Sequence, residues 1–105
     1  LDNAFLKEAN LRNLNLEGVS LVGANLTGAD LLDANLKGAD LQNANLQNAN
    51  LKGADLLDAN LTDANLTGAN LESAYLRDAK ISKSQLDQVK SFVNATLPDG
   101  TTSTS

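Results

Sequence analysis

The chain lacks cysteine, histidine, methionine and tryptophan, and it has a single proline. Each absence removes a class of chemistry. Without cysteine there are no disulfides and no thiolate metal sites, and the redox compartment stays open. With histidine missing as well, the common nucleophile–base pairs are gone, and serine and threonine hydroxyls have no imidazole to activate them. Aromatic residues are limited to Phe5, Tyr75 and Phe92, so a core built on large rings is excluded. Basic residues are in deficit, 8 against 13 acidic, for a net charge of −5. That balance argues against nucleic-acid binding, which needs a basic surface. No apolar run approaches the roughly 20 residues needed to cross a bilayer. No signal-peptide pattern is visible. The chain opens at Leu1, within a repeat and without methionine, and reads as a trimmed, processed or fragmentary sequence.

What the chain does have is a period of five. Leucine recurs at every fifth position from Leu1 to Leu76, and Ile81 and Leu86 extend the row. Two residues before each leucine stands alanine, with Leu14, Val19 and Ser84 as exceptions. Between them sits mostly Asn or Asp. After leucine come two variable residues, the second often Gly, Asn or Asp. A helix cannot use this pattern, because five steps of about 100° wind the leucines around the whole cylinder. One long strand cannot use it either, because an odd step puts successive leucines on opposite faces. A short extended segment followed by a turn can. Ala and Leu, two apart, point to one side, Asn or Asp points to the other, and the variable pair turns the corner. Repetition then builds a coil whose inward set is Leu21, Leu26, Leu31, Leu36, Leu41, Leu46, Leu51, Leu56, Leu61 and Leu66 with Ala24, Ala29, Ala34, Ala39 and Ala44. This is a solenoid. Leu14 and Val19, larger than Ala, predict a wider or irregular first coil.

The segment from Ala24 to Leu61, "ANLTGADLLDANLKGADLQNANLQNANLKGADLLDANL", resembles the consensus of the pentapeptide repeat family, and the likeness runs from about Leu1 to Gln85. The resemblance implies an all-β solenoid, a right-handed quadrilateral β-helix with four pentapeptides per coil. About four coils would stand roughly 20 Å tall. The expected organisation is a repeat β-helix over 1–81, a capping helix over 82–93 and a turn with a flexible tail over 94–105. Ser82 with Gln85 fits a capping box, and Ile81 with Leu86 fits a hydrophobic staple. Leu86, Val89 and Phe92 follow at helical spacing and would close the last coil. A cap followed by "LPDG" (97–100) also resembles the C-terminal end of many bacterial, notably cyanobacterial, members. The N-terminal end shows no comparable cap.

For function, the sequence predicts a non-enzymatic interaction scaffold or structural module, with no cofactor and no metal. Lys37, Lys52, Lys80 and Lys83 fall at outward, solvated positions. Asp30 with Asp33 and Asp55 with Asp58 are close in sequence, but the spacing of calcium-binding solenoids is missing. Asn94-Ala95-Thr96 is a formal glycosylation sequon, relevant only to a eukaryotic secretory chain. The expected partner is another protein, with Val22, Leu32 and Leu57 as candidate contacts. Membrane insertion is not expected. The chain is expected to be a monomer, or a dimer through the uncapped N-terminal end. Cytoplasm, periplasm and thylakoid lumen all remain open as compartments. The resemblance supplies one alternative, mimicry of DNA to inhibit a gyrase-type topoisomerase. Sorting charges onto four sides at 20 residues per coil leaves −1, −1, −1 and −2, far sparser than the charge of DNA.

Overall fold

The computed structural model describes all 105 residues. Its organising feature is a pairing offset of 20. Parallel bridges join Phe5 to Asn25, Asn25 to Asn45, Asn45 to Asn65, and likewise along the other three walls up to Asn60 with Lys80. Two hydrogen bonds per wall carry this register. The Leu26 amide donates to the carbonyl of Asn45 in the coil above (2.7 Å), and the Asn45 amide donates to the carbonyl of Ala24 in the coil below (2.9 Å). A third bond ties the corners: the Gly23 amide donates to the Gln42 carbonyl at 2.9 Å.

Each corner is a four-residue turn closed by the alanine amide on the preceding leucine carbonyl, as from Ala29 to Leu26 at 3.0 Å. The second variable residue takes positive φ at every such corner, from Asn3 (60°) to Asp78 (59°), the pattern of a type II turn. That explains the enrichment of Gly, Asn and Asp, which enter this region at least cost. Glu8 (59°) and Ser73 (58°) occupy it without that advantage. At Gly53 a further reason applies. A Cβ there would collide with the carboxylate of Asp33, which leans over it from the coil below.

The interior is narrow. Leu21 through Leu76, one per pentapeptide, are fully buried, and the alanines from Ala24 to Ala79 are at most 7% exposed. In the column Leu14, Ala34, Ala54, Ala74, only the first member is large. The structure places Leu14 at the open first coil with 44% of its surface exposed. The first coil is not irregular in register, because Asn15 pairs with Asn35 at the same offset of 20. The extra bulk is expelled to solvent instead.

Beyond Ile81 the chain leaves the wall. One helix, α1, spans Lys83–Gln88, with Ser82 as N-cap and a complete capping box: the Gln85 amide donates to Ser82 Oγ (3.1 Å) and the Ser82 amide donates to Gln85 Oε1 (2.8 Å). The helix is half the expected length. Val89 is its extended C-cap, and Phe92 lies on no helical face. The ladder reclaims the chain there, with the Lys90 amide on the Ala69 carbonyl (2.8 Å) and the Leu71 amide on the Ser91 carbonyl (2.8 Å). The register becomes 21, as in Asn70 with Ser91 and Tyr75 with Thr96, so α1 absorbs one residue. Leu86, Val89 and Phe92 still pack against the core, all partly buried.

The expected flexible tail is also corrected. Phe92 to Thr96 forms another pentapeptide, with Phe92 in the leucine position, Asn94 at φ 62° and Ala95 fully buried. The chain reverses at Leu97–Gly100 and returns antiparallel. The Ser103 amide donates to the Ala95 carbonyl (2.8 Å), and the Asn94 amide donates to the Ser103 carbonyl (3.0 Å). An alanine carbonyl on a wall requires a donor from the next coil, and here the tail supplies it.

Gln85 does the same for a neighbouring wall. Where the helix removes the backbone donor, its side-chain Nε2 donates to the carbonyls of Ala64 (3.0 Å) and Leu61 (2.7 Å). Gln85→Glu keeps the capping-box acceptor but turns a carboxylate toward two carbonyls. It is expected to lower unfolding stability in urea by about 1–3 kcal/mol, and a loss under about 0.5 kcal/mol would show that the wall bonds contribute little. Ala54→Leu, in the column of Leu14 but at mid-stack, is expected to cost about 1–3 kcal/mol by overpacking. A neutral result would mean that the interior has slack.

Candidate interaction surface

The outward Asn and Asp row is engaged with the backbone. In nearly every repeat its side-chain oxygen accepts the amide two residues on, as from Thr27 to Asn25 (3.1 Å), Leu32 to Asp30 (3.2 Å), Lys52 to Asn50 (3.1 Å) and Thr62 to Asn60 (3.0 Å). These Asx turns satisfy the one amide of each pentapeptide that neither ladder nor corner uses. The signal was present in the sequence, since Asn and Asp stand just before each turn, a favoured place for such bonds. Asn and Asp also bond along columns, Asn50 Nδ2 to Asp30 Oδ1 and Asn35 Nδ2 to Asn15 Oδ1, both at 3.3 Å.

The first variable position of each corner carries the side chains that make none of these bonds in most repeats. Val22, Leu32 and Leu57 occupy first variable positions and are half-buried. The 20-residue register stacks Leu32 between Arg12 and Lys52, and Leu57 between Lys37 and Arg77. Long polar side chains flank both leucines, and the three apolar residues stand on three different walls. The most exposed large apolar residues are others: Phe5 (76%), Leu1 (62%), Tyr75 and Leu14. Three of these four share the first coil. Phe5 and Tyr75 are exposed because they occupy the outward slot of their pentapeptides, whereas Leu1 and Leu14 are exposed in the first coil.

Two shallow recesses exist. One of about 480 Å³ lies between Thr62–Ala64 and Ile81–Gln85, and one of about 400 Å³ lies beside Asn48, Gly68 and Lys90. Both are lined mainly by polar side chains. No three acidic residues come together in a group that could hold a metal ion. The pairs Asp30 with Asp33 and Asp55 with Asp58 split between a wall and a corner. The charged contacts are Arg12 with Asp30, one coil apart, and Lys83 with Asp87 at 3.3 Å on α1. The Arg12 guanidinium holds Asp30 below the usual carboxylate range against the opposing effect of burial, helped by the Leu32 amide and Asn50. The Thr101 hydroxyl and amide do the same for Asp99.

Comparison with known proteins places this geometry. The family model for pentapeptide repeats matches in 8 copies over residues 1–28, 20–57 and 54–90. The chain belongs to the pentapeptide repeat family. Its structural relatives are pentapeptide repeat proteins, which form right-handed quadrilateral β-helices and serve generally as structural or interaction modules. One is HetL from the cyanobacterium Nostoc sp. strain PCC 7120, a protein involved in heterocyst differentiation regulation, with TM-score 0.82, 33% identity, and coverage of 98% of this chain and 51% of that one. Another is Rfr23 from the cyanobacterium Cyanothece 51142, with TM-score 0.83, 40% identity, and coverage of 89% and 63%. The chain thus spans about half of HetL and under two thirds of Rfr23. QnrB1, a plasmid-mediated fluoroquinolone resistance protein, aligns at 20% identity with TM-score 0.41, too distant to carry an argument. The comparison with curated proteins found no match.

The Arg12–Asp30 pair yields a test. A depressed folded pKa means that the stabilisation is present above the unfolded carboxylate value near pH 4 and is lost as pH falls through the folded value. Arg12→Gln is expected to raise the Asp30 pKa toward the ordinary range in a carbon-detected NMR titration. Its stability deficit at pH 7, small for a half-exposed pair, should shrink and vanish as pH falls through the folded value. An unmoved Asp30 titration would contradict the assignment.

Proposed function

We propose that this chain is a non-enzymatic scaffold that presents one wall of its solenoid to a protein partner. In this proposal the display body is a right-handed quadrilateral β-helix of about four coils, closed at its C-terminal end by α1 and the returning tail. The observation that carries the reading is the bonding of the walls. Every coil from Leu21 to Asn60 is fixed on both edges by ladder bonds, and the outward Asn and Asp lock the corners. Side chains at the first variable positions therefore project from a preorganised backbone, and binding costs little ordering entropy. Function resides in the identity of those side chains, which vary while the inward set does not. The involvement of HetL in differentiation regulation is compatible with such a role and does not specify it.

The DNA-mimic reading is the weaker alternative. Its requirement is a dense acidic face, and here Arg12 and Lys83 pair with carboxylates while every wall carries basic residues.

A photo-crosslinking amino acid at Gln42, Gln47, Lys52 or Leu57 samples the four walls of a single coil. Adducts with one discrete protein, formed from one wall or two adjacent walls, are the expected result. Equal labelling from all four walls, or none, would contradict the scaffold reading. Inhibition of gyrase supercoiling by the purified chain at micromolar concentration would favour mimicry instead.

A further inference from the structure

The wall that carries Asn50 and Asn70 departs from the regular ladder just after α1. In a regular wall one residue does two tasks. Asn70 gives its amide to the Ala49 carbonyl (2.9 Å), and its own carbonyl accepts the Leu51 amide (2.8 Å). One coil higher these tasks fall on neighbours. The Lys90 amide donates to the Ala69 carbonyl, and the Ser91 carbonyl accepts the Leu71 amide, both at 2.8 Å. Two residues thus stand opposite Asn70, as in a β-bulge, a device that re-aims a side chain. Ser91 keeps the outward slot, since its hydroxyl accepts the Val93 amide (3.3 Å) as an Asn would. Lys90 is the additional residue. Its exposed side chain borders the recess of about 400 Å³ that Asn48, Asn50, Gly68 and Asn70 line.

The chemistry of this recess is one-sided. Asn50 and Asn70 commit their side-chain oxygens to the Lys52 amide (3.1 Å) and the Glu72 amide (3.0 Å). That fixes which end of each side chain is left over, the NH2 group. Asn50 Nδ2 goes to Asp30 Oδ1, whereas Asn70 Nδ2 has no partner within the protein. Asn48 leans over Gly68, where a Cβ would strike it, and its side chain makes no hydrogen bond. Lys90 forms no ion pair, the two salt bridges lying elsewhere. No carboxylate lines the recess, although acidic residues outnumber basic ones by 13 to 8. The larger recess beside α1 differs in this respect, because it sets Asp63 with Lys80.

We infer that the recess at Lys90 binds a phosphate group, as free phosphate or a small phosphomonoester. The inference does not rest on the scaffold proposal. An ammonium and amide NH2 groups are donors only on the side they present here, and donors of this kind bond most strongly to a charged oxygen. They sit on successive coils, about 4.8 Å apart. A phosphate carries three acceptor oxygens around one phosphorus, so donors at different heights of the wall engage it together. Lys90 supplies the charge, Asn70 a hydrogen bond of fixed direction, and Asn48 a contact for the remainder of the ligand. With one cation in an open recess, the dissociation constant is on the order of 1 mM.

The experiment titrates the isotope-labelled chain with sodium phosphate and, separately, with glycerol phosphate, up to about 50 mM at constant ionic strength, with sodium acetate as the control. The expected result is a saturable shift of the Asn48 and Asn70 side-chain NH2 resonances and of the Lys90 amide. Asn70→Asp keeps the oxygen that accepts the Glu72 amide and replaces only the NH2 group. Lys90→Gln keeps the backbone amide in the ladder and removes the charge. Each should weaken binding by about tenfold or more, with circular dichroism unchanged. Lys37→Gln makes the same change of charge on another wall and should bind as the wild type does. Tighter binding of glycerol phosphate would assign the ester as the ligand, and equal binding would assign phosphate itself. Absence of a saturable shift with either compound would overturn the inference. So would an equal response to acetate, or equal weakening by Lys37→Gln, because the attraction would then be one of overall charge.

Discussion

The corner is the constraint on which the rest of the structure depends. After each leucine the chain must turn sharply within two residues, and it does so by holding the second of them at φ near 60°. The turn sets the distance from one wall to the next and so sets the size of the interior. That interior accepts one leucine and one alanine per wall. Of the two larger residues in the alanine row, Leu14 is 44% exposed in the first coil and Val19 packs partly buried against the core. The corner also sets the vertical register, because its amides and carbonyls pair with the corners above and below. The helix contributes only 2 of the 67 backbone–backbone hydrogen bonds, so the stability of the fold lies in corners and ladders.

Much of this was legible in the sequence, and the reason is periodicity. A five-residue spacing is incompatible with both common elements, so it points to a solenoid before any detail is known, and the run from Ala24 to Leu61 is enough to place the family. The C-terminal region was harder, because two local codes overlap there. Leu86, Val89 and Phe92 have helical spacing, yet Phe92 to Thr96 also fits the pentapeptide rule, with Phe in place of Leu. The ladder wins because the last coil has open edges that only an extended chain can pair. The order of the tail has the same origin. Thr101 to Ser103 lack the pentapeptide pattern, and their pairing is set by the carbonyl of Ala95 and the amide of Asn94.

The candidate surface was the least legible part. Val22, Leu32 and Leu57 stand out in a list of residues as apolar, but the register sets Leu32 between Arg12 and Lys52 and Leu57 between Lys37 and Arg77, so no apolar column forms at these positions. Conversely, Phe5 is bare because it takes the outward slot that Asn or Asp fills elsewhere, as Tyr75 does, whereas Leu14 sits in the alanine row and is exposed in the first coil. The outward Asn and Asp present a third case. Their side-chain oxygens lock the corners by accepting the amide two residues on.

Residue-resolved native-state hydrogen exchange over the coils from Leu21 to Asn60 tests the central claim most directly, namely that corners and ladders act as one bonded lattice. The account predicts a five-residue rhythm. Amides of Leu, of the second variable residue, of Ala and of Asn or Asp should exchange only through global unfolding. Those of Gln42, Gln47, Lys52 and Leu57, held solely by a surface side-chain oxygen, should exchange much faster by local opening. Uniform protection across all five positions, or protection that ignores the period, would contradict it.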